Sequence, residues 1–231
     1  MTEHEAAIPR HEPRWHASLA VLAAVLLYIT LPPRLTIGPT WIAPVLVLIV
    51  LIPLSIFSPH RNIETRRSRI ASIALIAIVN FFNLASVLLL IASFFRPEQH
   101  ALRQPGFLLR IGAQIWFTNI LVFGLWYWEL DANGPDARAH ARGATDVRDA
   151  DFLFPQMQMT IAGGGMPDCI DPRWRPQFFD YFYLAFTTAT AFSPADVVPL
   201  SRWAKGLMMA ESLVSLVTIA IVLARAMSLI E

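Results

Sequence analysis

Residues 70–95 contain no charged side chain. The hydrocarbon core of a bilayer is about 30 Å thick, and roughly 20 apolar residues cross it as a helix. A stretch of this length does not suit the surface of a soluble domain, and it constrains what the rest of the chain can do. Four further apolar runs accompany it, at about 17–31, 41–57, 108–130 and 203–230. The expected fold is an all-α integral membrane protein with about five transmembrane helices. Charged residues make up 15% of the chain and hydrophobic residues 55%, whereas a soluble domain carries about 25% charged residues.

Tryptophans support the same boundaries. Trp15, Trp41, Trp126, Trp128 and Trp203 all fall near the ends of the runs. An indole is apolar with one N–H donor and favours the headgroup boundary. Arg10 and Arg14 precede the first run, but Leu-Pro-Pro-Arg follows it in place of a small-residue cleavage site. The run is therefore expected to be retained. The protein is expected in a membrane, taken as a bacterial inner (plasma) membrane, with lipid as its first partner.

Several function classes are disfavoured. A net charge of +1 provides no basic field for nucleic acid. The one cysteine, Cys169, excludes an intrachain disulfide and cannot build a metal cluster. Gly-rich phosphate loops, nucleophile elbows and paired-carboxylate motifs do not stand out, so neither an enzyme nor a cofactor is expected. No repeat of spans indicates a secondary transporter.

The chain divides into an N-terminal tail (1–16), a three-helix membrane region (17–95) and a C-terminal unit (108–231). In that unit an outer helix leads into a polar loop, 131–177, which opens on the turn Asp-Ala-Asn-Gly-Pro. The loop mixes arginines, Arg138 among them, with aspartates. Its piece 152–157 is apolar enough to pack on the membrane-embedded part. A short helix, 177–190, follows Pro176. It is too short to cross, and a bend at 191–196 leads from it into the inner helix, 203–230. This pattern is that of a re-entrant segment. Non-helical backbone at membrane depth persists only where protein or a water-filled cavity surrounds it.

At these residues the chain resembles the pore domain of potassium-channel-like, two-transmembrane P-loop ion channels. In that family a Thr-rich stretch closes the pore helix and leads into Val-Gly-Tyr-Gly-Asp. Here Thr188, Ala189, Thr190, Ala191, Phe192, Ser193, Pro194, Ala195 and Asp196 stand in the same register. The stretch 207–225, with Glu211 early and Arg225 late, is similar to the family's inner helix. The resemblance implies a homotetramer enclosing a pore for small ions. It also implies a filter-like set of Thr188, Thr190, Ala191, Phe192, Ser193, Pro194, Ala195 and Asp196. The hydroxyls of Thr187, Thr188, Thr190 and Ser193 and the carboxylate of Asp196 would line it. Ser193, Pro194 and Ala195 occupy the Gly-Tyr-Gly places, however. Only glycine enters the required backbone regions cheaply, and Pro194 fixes its own φ and restricts Ser193. Potassium selectivity is not expected. The alternative is a non-conducting structural or regulatory protein that keeps the pore fold.

The polar residues within the runs carry further expectations. Asp180 sits in the first turn of the short helix, where a carboxylate meets free N–H groups. Glu211 either bonds behind the filter or faces a wet cavity, or else lies near the interface, two turns from Trp203. Asn80, Asn83, Gln114 and Asn119 are expected to hydrogen-bond between helices. Glu129 and Asp131, at a membrane edge beside Trp128, are expected to be solvated. Sidedness is open. The cluster Arg61, Arg66, Arg67 and Arg69 places the long loop in the cytoplasm by the positive-inside rule, and the channel resemblance places it outside.

Overall fold

The computed structural model describes residues 14–57, 66–94, 104–140, 150–161, 174–193 and 196–228. Its elements are α1 (Trp15–Ile29), α2 (Ile42–Phe57), α3 (Arg66–Phe94), α4 (Pro105–Leu130), α5 (Pro135–His140), β1 (Phe152–Leu153), α6 (Pro155–Ile161), α7 (Phe178–Ala191), β2 (Val198–Pro199) and α8 (Arg202–Met227). Among the described residues, α3, α4 and α8 are long and apolar enough to cross a membrane. This supports a helical membrane protein. The 15 and 16 residues of α1 and α2 make helices of only about 22–24 Å. The expected all-α class is compatible with this architecture, to which a two-residue pairing is added: Phe152 and Leu153 pair antiparallel with Pro199 and Val198.

Local chemistry sets the ends of these elements. Pro105 opens α4, where its missing N–H costs nothing. Ser201 caps α8, its Oγ accepting the Ala204 amide at 3.1 Å. After α4 the backbone turns left-handed at Ala132 and Asn133, and Gly134 has a φ of 100°, a conformation that glycine adopts most readily.

The core stratifies along the helix axes. One cluster joins Ala17–Ala24 of α1, Val47 and Leu51 of α2, Leu75–Val79 of α3, Ile120–Trp128 of α4, and Ala204 and Met208 of α8. The other joins Tyr28, Ala43, Phe82–Leu90, Leu108–Ile115, Val222 and Ala226. Successive helices α1 to α4 therefore alternate in direction, and α8 runs antiparallel to α4. We call the end where α4 finishes and α8 begins the loop end, and the opposite end the far end. Arg66, Arg67 and Arg69 open α3 on the loop-end side, and Arg110 lies in the far-end part of α4.

Helix α4 is the hub, packing on α1, α3, α7 and α8. Two glycines allow close approach. A Cβ on Gly112 would stand 2.5 Å from Val222 Cγ2, and one on Gly124 would stand 3.2 Å from Phe182 Cα.

Candidate functional site

Helix α7 begins at the loop end. Gln177 and Asp180 form its capping box, with the Gln177 amide donating to Asp180 Oδ2 at 2.7 Å. The expected first-turn role of Asp180 is thus observed. Burial raises the carboxyl above the ordinary aspartate range, opposed by the backbone amides of Gln177 and of Asp180 itself.

From there α7 descends antiparallel to α4. Phe178 packs on Trp128 with ring centroids 6.2 Å apart, Phe182 lies over Gly124, and Phe186 packs on Trp116 at 6.1 Å. Fourteen residues make a helix of about 21 Å. Phe192 then ends it in the left-handed region, with φ 54° and ψ 27°, an uncommon conformation for a bulky residue. By Val198 the chain pairs with Leu153, beside Phe152, whose ring lies 5.1 Å from Tyr127 at the loop end. The interval from Phe192 to Val198 reaches about 20–22 Å when extended, at roughly 3.3–3.6 Å per residue. That is enough to undo the whole length of α7. The chain thus enters α7 at the loop end and is back at that end by Val198.

The filter-like residues are placed as follows. Thr188 is buried and its hydroxyl has no partner. Thr190 is exposed and donates to the Phe186 carbonyl at 2.6 Å, while Thr187 donates to the carbonyls of Tyr183 and Leu184. Ala191, Phe192 and Ser193 are exposed at the foot of the helix. Asp196 is exposed, and its carbonyl accepts Gln158 Nε2 at 3.2 Å. Pro194 and Ala195 lie outside the described residues, as do Cys169 and the glycines 163–165.

A polar hub fixes this arrangement at the loop end. Asp131 is fully buried. Its Oδ1 accepts the amides of Asp151 at 2.7 Å and Phe152 at 3.2 Å, and its Oδ2 accepts the Tyr181 hydroxyl. Arg138 Nη1 donates to the Asp131 carbonyl at 2.6 Å, and its guanidinium lies 4.9 Å over the Tyr181 ring. The Leu200 amide donates to the Asp151 carbonyl at 2.8 Å. Beside the hub, Arg175 donates to the Ala139 carbonyl at 2.5 Å, and burial lowers its guanidinium from the ordinary arginine range.

The expectation that Glu129 and Asp131 are solvated is overturned, because both are buried. Residues 135–140 and 150–161 fold back over the end of α4 beside them. The apolar piece within it packs as expected, with Phe152, Phe154 and Met157 in the core. Helix α7 likewise removes Trp128 from the membrane boundary. Trp128 is buried on Phe178, whereas Trp15, Trp41 and Trp203 are 60%, 62% and 82% exposed.

A second polar chain crosses the bundle. Asn83 of α3 donates to Asn119 Oδ1 at 3.4 Å, and Asn119 donates to Ser215 Oγ at 3.0 Å and to the Glu211 carbonyl at 3.4 Å. Gln114 donates to Thr30 Oγ1 at 2.8 Å. The helix-to-helix role expected of Asn83, Gln114 and Asn119 is therefore observed. Glu211 is fully buried between α8 and α4, where its Oε2 accepts the Tyr127 hydroxyl. It is not solvated near the interface. Sequence reasoning passed over Tyr127, Tyr181 and Arg138. A phenol inside an apolar run needs a partner, and that signal could have selected Tyr127.

No family model, characterised protein or solved structure matches the chain.

Proposed function

We propose that the protein is a homotetrameric membrane pore that passes a small ion passively, with residues 178–196 dipping into the bilayer and returning. The observation that carries this reading is that the chain enters α7 at the loop end and is back at that end by Val198, between two helices of membrane-crossing length. Return backbone at that depth must meet protein or water. One chain provides one such segment, so several copies are needed to enclose an axis. The exposed apolar residues of α7 (Phe179, Tyr183) and α8 (Met209, Leu213, Leu216) suit such packing.

The pore is not potassium selective. A carbonyl ring that replaces the hydration shell of potassium needs glycine freedom, and Ser193 stands in the first glycine place. Phe192 already holds a left-handed backbone one residue earlier. Ser193 and Asp196 would then face the ion directly, with α1, α2 and α3 forming a brace outside the pore unit.

Purified protein in liposomes tests this. The expected result is cation flux that Asp196→Asn reduces and Ser193→Leu blocks. Absence of flux for several cations and anions, from intact tetramers, would refute conduction. It would favour a non-conducting protein with the same architecture, a reading motivated by the filled glycine places. A monomeric particle would refute both.

A further inference from the structure

Glu211 is the buried ionisable group that the pore reading leaves without a task. Its side chain is completely enclosed where α8 meets α4. One carboxyl oxygen accepts the Tyr127 hydroxyl, and the other, Oε1, has no hydrogen-bond partner. Among the described residues, no basic group pairs with it. A carboxylate in that position would hold a bare charge on Oε1 against apolar walls, a state proteins avoid by keeping the proton. A proton, unlike a metal ion, needs no cavity.

The elements around α8 bring nothing that would hold the charge. From α4 comes Tyr127, itself neutral and donating. Helix α7 carries Asp180, Tyr181 and Tyr183. Of these, Asp180 serves the helix cap, Tyr181 is bonded to Asp131, and Tyr183 is half exposed. Helix α3 reaches the seam through Asn83, and its arginines sit in its first turn. Strand β2, Val198–Pro199, has no titratable group. On α8 itself, Lys205 and Arg202 lie about 1.7 and 2.5 turns earlier and are exposed.

A polar chain leads from a small cavity to the backbone of Glu211. Asn83 lines a cavity of about 20 Å³ with Ala24, Tyr28, Val47, Val79 and Thr118, large enough for one water molecule. Asn83 bonds to Asn119, and Asn119 holds both Ser215 and the Glu211 carbonyl.

We propose that Glu211 is a proton-binding site in the α4–α8 seam, neutral when the seam is closed, and that losing its proton loosens α8 from α4. Glu211–COOH and Glu211–COO⁻ plus a proton are the two states, and the released proton goes to solvent water admitted as the seam loosens. In a pore of the kind proposed above, alkaline pH would thereby act on the inner helix. The proton site itself does not depend on conduction.

The test uses the full chain in lipid nanodiscs, with infrared pH titration and amide hydrogen exchange. The expected result is a protonated-carboxyl carbonyl band at neutral pH that Glu211→Gln abolishes and Tyr127→Phe shifts. Its loss at high pH should coincide with a rise of about tenfold in opening-limited exchange around Ser215, and Glu211→Gln should not show that rise. If Glu211→Gln does not fold, the band shift in Tyr127→Phe decides the assignment. Absence of any band sensitive to either substitution overturns the proposal. So does exchange around Ser215 that changes identically with pH in wild type and variant. A positive infrared result without ion flux would retain the proton site and reject the pore.

Discussion

Substituting alanine at Gly112 tests the antiparallel register of α4 and α8 most directly. A Cβ there would stand 2.5 Å and 2.9 Å from the two Val222 methyls and 3.2 Å from Val222 Cβ. The shortest approach falls about 0.9 Å below an ordinary 3.4 Å contact. Rotating the valine cannot relieve all three contacts, so the helices must separate. Overpacking of this kind costs about 1–3 kcal/mol, and alanine recovers about 1 kcal/mol of helix propensity over glycine. Gly112→Ala is therefore expected to destabilise by up to roughly 2 kcal/mol. Val222→Ala removes two buried methyl groups and is expected to lose about 1–2 kcal/mol of packing. In the double variant the new methyl at residue 112 occupies the space left by the valine. The expected coupling is about 1–3 kcal/mol in favour of the pair, leaving the double variant near wild type. Unfolding by sodium dodecyl sulfate in mixed micelles, followed by circular dichroism, measures all four corners of the cycle. A double variant that loses the sum of the two single losses would show that Gly112 and Val222 do not meet, and the helix register would be wrong.

Two further perturbations address the loop end. Asp131→Ala orphans two amides and the Tyr181 hydroxyl, at about 1–3 kcal/mol each. The expected outcome is rapid proteolysis within 135–161 together with a lowered melting temperature, and Asp131→Asn, which keeps an acceptor for both amides, should fall between alanine and wild type. Unchanged protease resistance in the alanine variant would contradict the hub. At Asp180, burial places the folded-state carboxyl above its unfolded value. The folded chain therefore binds more protons in that interval, and this stability contribution is full below the unfolded pKa and is lost as pH rises through the folded one. Asp180→Asn keeps an acceptor for the Gln177 amide and should flatten this part of the stability–pH curve; an unaltered slope would assign the titration to another group.

The parts of the fold that hydropathy controls were legible in the sequence. The apolar run at 70–95 became α3, lengthened at its start by the arginines of 66–69, whose long side chains tolerate a helix end that apolar counting excludes. Helices α4, α7 and α8 came out within about three residues of expectation at each described end, because Pro105, Pro176 and Ser201 mark where they can begin. The pairing of polar residues across helices was legible by type but not by partner. An asparagine in an apolar run must find a hydrogen bond, yet nothing local joins Asn119 to Ser215 or Tyr127 to Glu211, which lie about ninety residues apart. The strand pair β1–β2 was not legible at all. Two residues on each side carry no periodicity, and they hold together because Asp131 fixes the amides of β1.

Asp131 also shows why hydropathy misreads such a position. A carboxylate just past the C-terminal end of a helix faces the negative end of the macrodipole, a disadvantage of about 0.3–1 kcal/mol. By that rule the residue belongs in water. Within the fold it accepts two amides and a phenol, and hydrogen bonds to a charged group contribute about 1.5–3 kcal/mol each. The Arg138 guanidinium, bonded to the backbone carbonyl of the same residue, adds a favourable charge. The bonds outweigh the dipole, but burial of the carboxylate works against them and is the larger influence, so the position holds only while all three donors are present. Two of those donors belong to the β1 segment and one to α7. Placing this carboxylate at the end of α4 thus makes the seating of β1 conditional on the seating of α7. Through the β1–β2 ladder, the same condition extends to the strand by which the chain comes back. Entry and return of the α7 segment are consequently a single cooperative unit, and Tyr181→Phe, which removes only the phenol donor, should weaken the hold on both.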